Sequence, residues 1–78
     1  MTDKTKEKLE MFFDELLSDI DNCSNIFRLS EYYHLAWGYT NALADNDLTT
    51  DEDETNIISP MLYKLYTKVQ KKKDALKL

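Results

Sequence analysis

Apolar residues recur at intervals of three and four along the first part of the chain, from about residue 4 to residue 22. That spacing places them on one side of an α-helix, so the opposite side becomes an almost continuous acidic surface. The apolar positions are Leu9, Phe12, Phe13, Leu16, Leu17 and Ile20, and the acids between them are Glu10, Asp14, Glu15 and Asp19. We therefore predict a first helix that buries one side and exposes a row of carboxylates.

A second helix is expected to begin near Asn25 or at Ser30, either of which can cap it, and to continue to about Ala44. Its apolar residues cover most of the helix circumference, which is typical of a helix buried against two neighbours, or against one neighbour and a partner. The main stripe is Ile26, Leu29, Tyr33, Ala36, Trp37, Thr40, Leu43 and Ala44, with Phe27, Tyr32, Leu35 and Tyr39 beside or outside it. We predict that this helix is the centre of the fold, with Tyr33 and Trp37 in the core and Tyr32 and Tyr39 available to a partner.

A third helix follows the polar, turn-prone residues 45–49. Thr49 or Thr50, followed three residues later by Glu52 or Asp53, matches an N-capping pattern. The apolar stripe Ile58, Met61, Leu62, Leu65 and Val69 keeps its helical period across Pro60. Pro60 either kinks one helix or opens a new one with Ser59 as its cap, and the second is slightly favoured because the residue before a proline avoids helical geometry.

The chain of 78 residues is expected to form a single domain over residues 1–78, because one core is all that this length supports. One glycine and one proline leave few turns, and short connections place consecutive helices antiparallel. The predicted fold class is all-α, an up-down-up three-helix bundle whose third helix is kinked or restarted at Pro60. Since so small a core is marginal, a homodimer that supplies further contacts stays open.

The net charge of −5 is unevenly distributed. Residues 1–58 carry fourteen acids and four bases, whereas residues 59–78 carry six lysines and one acid. The lysines near the end of the last helix are also favoured by its dipole, and the acidic body repels a nucleic-acid duplex over most approaches. We therefore expect no direct binding to nucleic acid.

The only cysteine, Cys23, cannot form an internal disulfide, which favours a reducing compartment. Residues 1–9 are polar where a signal peptide would be apolar, and no run approaches the roughly 20 apolar residues that span a bilayer. We expect a cytoplasmic protein without membrane association, in which Cys23 is a small buried residue at a helix end.

Residues 45–54 are rich in acids, which invites comparison with a calcium-binding loop. An EF-hand loop that starts at Asp45 requires glycine at its sixth position and glutamate at its twelfth, where this chain has Thr50 and Asn56. Glu31 and His34 have the Glu-x-x-His spacing of di-iron bundles, but one copy is half of such a site. We therefore predict no metal site and no cofactor.

Catalytic candidates are few. Cys23 and His34 are the only pair that could act as nucleophile and base, and nothing basic or glycine-rich lies near Cys23 to activate it. Gly38 lies inside a helical pattern, so it forms no phosphate-binding loop, and we expect it to permit close approach of a neighbouring helix or a partner. No catalytic residue is identified, and we predict that the protein is not an enzyme.

The function predicted is that of a small acidic regulator, adaptor or inhibitor, which binds a protein partner through a helical surface of aromatic and acidic residues. Buried rings provide affinity, and carboxylates provide steering and specificity. The predicted binding residues are Tyr32, Tyr39, Glu10, Asp14, Asp51, Glu52, Asp53 and Glu54. The alternative is a mimic of nucleic-acid charge, such as an inhibitor encoded by a phage or mobile element, that occupies the basic groove of a host nucleic-acid-binding protein.

Overall fold

The computed structural model describes residues 1–77, which form helices joined by short turns. The helices are α1 (Asp3–Asn22), α2 (Leu29–Asp45), the single turn α3 (Asp51–Asp53) and α4 (Ser59–Leu76); a 3-10 turn (Ile26–Arg28) precedes α2, and a π-helical turn (Glu54–Ile58) joins α3 to α4. No strand occurs within residues 1–77, so the all-α prediction is confirmed.

The predicted capping residues act at two of the helix starts. The Asn25 side chain accepts a hydrogen bond of 2.9 Å from the Phe27 amide, so Asn25 caps the 3-10 turn, and α2 itself begins at Leu29. At α3 the Asp53 amide donates to Thr50 Oγ1 over 3.1 Å, and the Thr50 amide donates to Asp53 Oδ2 over 2.9 Å. This reciprocal pair satisfies two amide groups that the helix leaves without partners.

The turn after α2 depends on one residue in the left-handed region, Asp47, whose φ is 58°. The Asp47 amide donates to the Ala44 carbonyl over 3.0 Å, and the Leu48 amide donates to the Leu43 carbonyl over 2.9 Å. These two bonds form a Schellman motif, in which aspartate takes the position that glycine usually occupies. The motif reverses the chain within a few residues and so returns it towards α3.

Pro60 lies in the first turn of α4, which begins at Ser59, the residue at which the sequence predicted a restart. The capping role predicted for Ser59 is wrong, because Ile58 and Ser59 both have helical dihedral angles and no side-chain cap is formed. The Ser59 amide donates instead to the Glu54 carbonyl, across the π-helical turn. The backbone is therefore already helical when it reaches Pro60. A proline ring clashes with the preceding turn of a helix, and the wider π-helical turn accommodates this clash.

The core is a cluster of side chains from α1, α2 and α4. It consists of Leu9, Phe13, Leu16 and Ile20 from α1, Cys23 at its end, Leu29 and Ala36 from α2, Ile58 from the π-helical turn, and Leu62, Leu65 and Val69 from α4. Helix α4 packs against both α1 and α2, more extensively than those two pack against each other. The centre of the fold is thus α4, and the prediction that the second helix takes this place is wrong.

The reason lies in the buried strip of α2, which contains only Leu29, Ala36 and Thr40. Thr40 is 1% exposed, and its hydroxyl donates to the Trp37 carbonyl of its own helix over 3.2 Å. The large rings of α2 lie at the edges of this strip. Trp37 is 43% exposed and Tyr33 is half-buried, so the prediction that Trp37 fills the core is wrong.

Lysines near the end of α4 hold it against its neighbours. Lys68 Nζ lies 2.8 Å from Asp21 Oδ2, and Lys72 Nζ donates to the Asp21 carbonyl over 2.9 Å. Lys73 Nζ donates to Ser30 Oγ over 2.6 Å, at the start of α2. A carboxylate such as Asp21 is unfavourable in the last turn of α1, because the carbonyl groups there carry partial negative charge. The two lysines that contact Asp21 offset this repulsion.

We expect Leu65→Ala to lower the free energy of unfolding by about 2–5 kcal/mol, because it removes a fully buried side chain from the helix that contacts both others. Lys64→Ala changes the exposed neighbouring residue and should stay within about 0.5 kcal/mol of the wild type. Urea denaturation followed by circular dichroism measures both. Equal losses in the two variants would show that α4 does not pack as described.

Candidate functional site

An open groove lies between α1 and α2, with a volume of ≈ 670 Å³. It is lined by Phe12, Glu31, His34, Leu35, Gly38 and Tyr39. The rings of Phe12 and Tyr39 stack with their centroids 4.3 Å apart and their planes 12° apart, which joins the two helices at one side of the groove. The α1–α2 groove therefore has a wall of two stacked rings, one of which is the predicted binding residue Tyr39.

The floor of the groove is formed by α2, and the space over Gly38 is unfilled. Leu35 is 55% exposed, and a Cβ atom built on Gly38 would meet no atom within 4 Å outside its own helix backbone. No neighbouring helix approaches Gly38, so the close approach of a helix predicted from sequence is wrong, and only the approach of a partner remains. A glycine inside a helix destabilises it by about 0.5–1 kcal/mol relative to alanine, and nothing in the described fold requires one here.

Two of the predicted acids lie away from this groove. Glu10 and Asp14 each stand two residues from Phe12, and positions two apart on a helix do not share a side. Both are exposed, on the side of α1 opposite Phe12. The structure therefore does not bring these carboxylates together with Tyr39.

Tyr32 lies in a separate small pocket at the other end of α1. The pocket is lined by Asp19, Asn22, Cys23, Ser24, Asn25, Arg28 and Tyr32. Partial burial raises the pKa of Tyr32, and the Cys23 thiol and the Asp19 carboxylate add to this effect. Cys23 is buried at the end of α1, as expected, and its Sγ donates to the Asn25 carbonyl over 3.3 Å.

Of the four predicted acids of residues 51–54, the first three form the single turn α3 and Glu54 begins the π-helical turn. Asp51 and Glu52 are exposed, and Glu54 is half-buried. Asp53 Oδ2 lies 2.8 Å from the amino group of Met1, and this hydrogen bond, together with the one from the Thr50 amide, lowers the pKa of the Asp53 carboxyl. The Asp53 carboxylate thus binds groups of the protein itself, the amino group of Met1 and the Thr50 amide.

The residues considered for chemistry are not assembled. Cys23 lines the Tyr32 pocket and His34 lines the α1–α2 groove, so the candidate nucleophile and base lie in different places. Glu31 and His34, the pair with the di-iron spacing, line the α1–α2 groove. Glu10 and Asp14, which could serve as further metal ligands, lie on the far side of α1. Within residues 1–77 no group of three or more histidine, cysteine or carboxylate side chains is placed to hold a metal ion.

A further concavity separates the end of α1 from α4 and is lined by Asp21, Tyr63, Lys64, Thr67, Lys68, Lys71, Lys72 and Ala75. Two of its lysines, Lys68 and Lys72, contact Asp21. These contacts stabilise the fold, so part of the positive charge of α4 has a structural role. In the part of the chain that is described, no helix combines the length and apolar character needed to cross a membrane.

Sequence reasoning missed two residues of the groove. Phe12 was assigned to the core stripe, and Leu35 to no surface. The available signal was the spacing of Leu35, Gly38 and Tyr39, whose three-and-four intervals mark one side of a helix. No family model matches the chain, and neither curated proteins nor solved structures yield a match.

We expect Gly38→Ala to raise the free energy of unfolding by about 0.5–1 kcal/mol, because alanine lowers the entropy lost on helix formation and its methyl group meets open space. Thermal and urea denaturation measure the change. A destabilised variant would show that the space over Gly38 is filled in the folded protein.

We expect the stability advantage of the wild type over Asp53→Asn to depend on pH. Because the folded pKa of Asp53 is lowered, its contribution is present above the unfolded value of about 3.9 and disappears as the pH falls through the folded pKa. Denaturation of both proteins from neutral pH down to about pH 2 measures it. Glu52→Gln, at the exposed neighbouring carboxylate, is the control and should show a smaller difference at every pH.

Proposed function

We propose that this protein is a small, non-enzymatic regulator, adaptor or inhibitor, and that its protein partner docks in the α1–α2 groove. The observation that carries the proposal is the open floor at Gly38, next to the exposed Leu35 and the stacked rings of Phe12 and Tyr39. A helix that lacks a side chain at this point lets a partner's backbone come close. The proposed mode is therefore an amphipathic helix laid into a groove.

The carboxylates around the groove indicate the chemistry of the partner. Glu31 lines the groove directly, and Glu15 follows Phe12 by three residues on the same side of α1; Asp19, four residues further, lines the Tyr32 pocket. Lys8, four residues before Phe12, is the basic residue of this row. We infer that the docking helix has an apolar side flanked mainly by lysine or arginine, which the carboxylates attract and orient.

The other predicted acids act at longer range in this proposal. Glu10, Asp14 and the carboxylates of residues 51–54 contribute to the negative field of the molecule, which speeds the approach of a basic partner. Tyr32, in its own pocket with Asp19 and Arg28, is a second contact point beyond the groove. The affinity comes from the apolar groove, since exposed carboxylates mainly alter the association rate.

A second candidate function is mimicry of nucleic-acid charge by an inhibitor of phage or mobile-element origin. The observation in its favour is a straight row of exposed carboxylates along α1. Asp3, Glu7, Glu10 and Asp14 follow one another at intervals of four, three and four residues, so they share one side of the helix. Such a row suits a basic groove that normally receives phosphates.

Three further properties belong to the proposal. The helices are arranged up-down-up, which is supported by the Met1–Asp53 and Asp21–Lys68 contacts at the two ends of α1 and by the Ser30–Lys73 contact of α2 with α4. The wide π-helical turn before Pro60 takes the place of a sharp kink at the start of α4. The protein works in the cytoplasm, where its single buried thiol stays reduced.

The test is capture of partners from cells of the source organism by wild-type protein and two variants. If the groove is the docking site, Leu35→Glu abolishes capture of the specific partner, because a charge enters the apolar surface. A double charge reversal, Glu10→Lys with Asp14→Lys, leaves most of the captured protein bound.

Salt separates the two functions, since binding through an apolar groove should weaken by only a few-fold between about 50 and 200 mM salt. The opposite pattern, in which Leu35→Glu still binds while the double reversal and moderate salt both release the partner, would establish charge mimicry. Circular dichroism confirms that each variant remains helical.

A further inference from the structure

The surface between α2 and α4 is rich in exposed rings. We define the neutral aromatic face by three residues of α2 and three of α4: Tyr33, Trp37, Asn41, Tyr63, Tyr66 and Gln70. The α2 residues follow one another at intervals of four and the α4 residues at intervals of three and four, so the members of each set share one side of their helix. Tyr63 is 73% exposed, Tyr66 45% and Trp37 43%.

The rings form a connected layer across the two helices. The ring centroid of Tyr33 lies 5.5 Å from that of Tyr66 and 6.2 Å from that of Trp37. Tyr33 is half-buried and supports its two more exposed neighbours. The face is thus held in shape by the fold, as binding hot spots usually are.

Charge is missing from this face, although 32% of the residues of the chain are charged. The charged residues of α2 are Glu31, which lines the α1–α2 groove, and Asp45, its last residue. Between residues 55 and 70 the charged residues are Lys64 and Lys68, which line the concavity between α4 and the end of α1 and so border the face at Tyr63. Interface centres in proteins show this same depletion of charge with enrichment of tryptophan and tyrosine.

We propose that the neutral aromatic face binds the same face of a second copy of this chain, in an antiparallel two-fold dimer. Each copy has a net charge of −5, so two copies repel wherever carboxylates would be placed opposite each other. This face carries no carboxylate. A charged partner would find no complementary charge among these six residues. A second copy presents the same uncharged aromatic surface, and an isologous interface uses the same patch on both subunits.

The antiparallel orientation follows from the charges at the two ends of the face. At one end Lys73 contacts Ser30 at the start of α2, and residues 71–77 carry four lysines and one acid, Asp74, so this end is basic. At the other end α2 finishes at Asp45, close in sequence to the acids that begin α3. A two-fold axis perpendicular to the face lays the acidic end of each copy over the basic end of the other, and a parallel arrangement would pair like with like.

The dimensions of the molecule suit such a dimer. Its extents are 42 × 18 × 17 Å, and the face follows α2 and α4 along the long direction. The dimer therefore uses the length of the molecule. None of the six residues of the face lines the α1–α2 groove, so the dimer is tested independently of the proposed function.

The experiment combines sedimentation with the fluorescence of Trp37, the only tryptophan. Between about 1 µM and 1 mM protein we expect the mean mass to rise from monomer to dimer, and the Trp37 emission to shift to shorter wavelength as water leaves the ring. Asn41→Glu and Tyr63→Glu each place a charge in the face at an exposed position and should raise the dissociation constant at least about tenfold.

Ala42→Glu is the matched control, because it adds the same charge one residue later, at an exposed position on the groove side of α2. It should leave both the mass and the Trp37 emission unchanged, and circular dichroism verifies the helicity of all variants. The proposal is overturned if the wild type stays monomeric throughout the range. It is equally overturned if Ala42→Glu, and neither of the other two variants, dissociates the dimer.

Discussion

The narrow buried strip of α2 determines most of the molecule's surface. Only Leu29, Ala36 and Thr40 of this helix are fully covered, and two of these are small. Small side chains let α4 come close to α2, and the large rings on either side of the strip stay outside the core. They are displaced to the two edges, where Tyr39 stacks on Phe12 of α1 and Tyr33 contacts Tyr66 of α4. One packing constraint thus produces both the groove and the neutral aromatic face.

This constraint explains which predictions from sequence succeed. The periodic stripes of α1 and α4, the Asn25 cap and the Thr50–Asp53 pair are local features, and the structure has them where expected. The position of Trp37 was predicted wrongly, because an apolar stripe does not reveal how much of its width a neighbour covers. When a helix is apolar over most of its circumference, the sizes of the side chains at the helix contact decide which of its residues are buried.

The candidate site was only partly accessible to the same reasoning. Tyr39 was identified as lying beside the main stripe, and it does line the groove. The grouping of Tyr39 with Glu10 and Asp14 ignored the angular positions on α1, which separate these acids from Phe12. The contact between Phe12 and Tyr39 is long-range, so no local pattern in the chain could indicate it. The internal partner of Asp53, the amino group of Met1, is another such contact.

Because the groove and the neutral aromatic face share no residue, a partner helix and a second copy of the chain would contact different side chains of α2. A two-fold dimer built on the face would present two α1–α2 grooves. Two linked grooves raise the effective concentration of the second binding event, so a partner with two suitable helices, or a partner that is itself dimeric, would be held far more tightly than by one groove. A single isolated helix would gain nothing from the dimer. The number of docking segments in the partner, rather than any new contact, would then decide the apparent affinity, which gives a protein of this size a means of selecting paired targets.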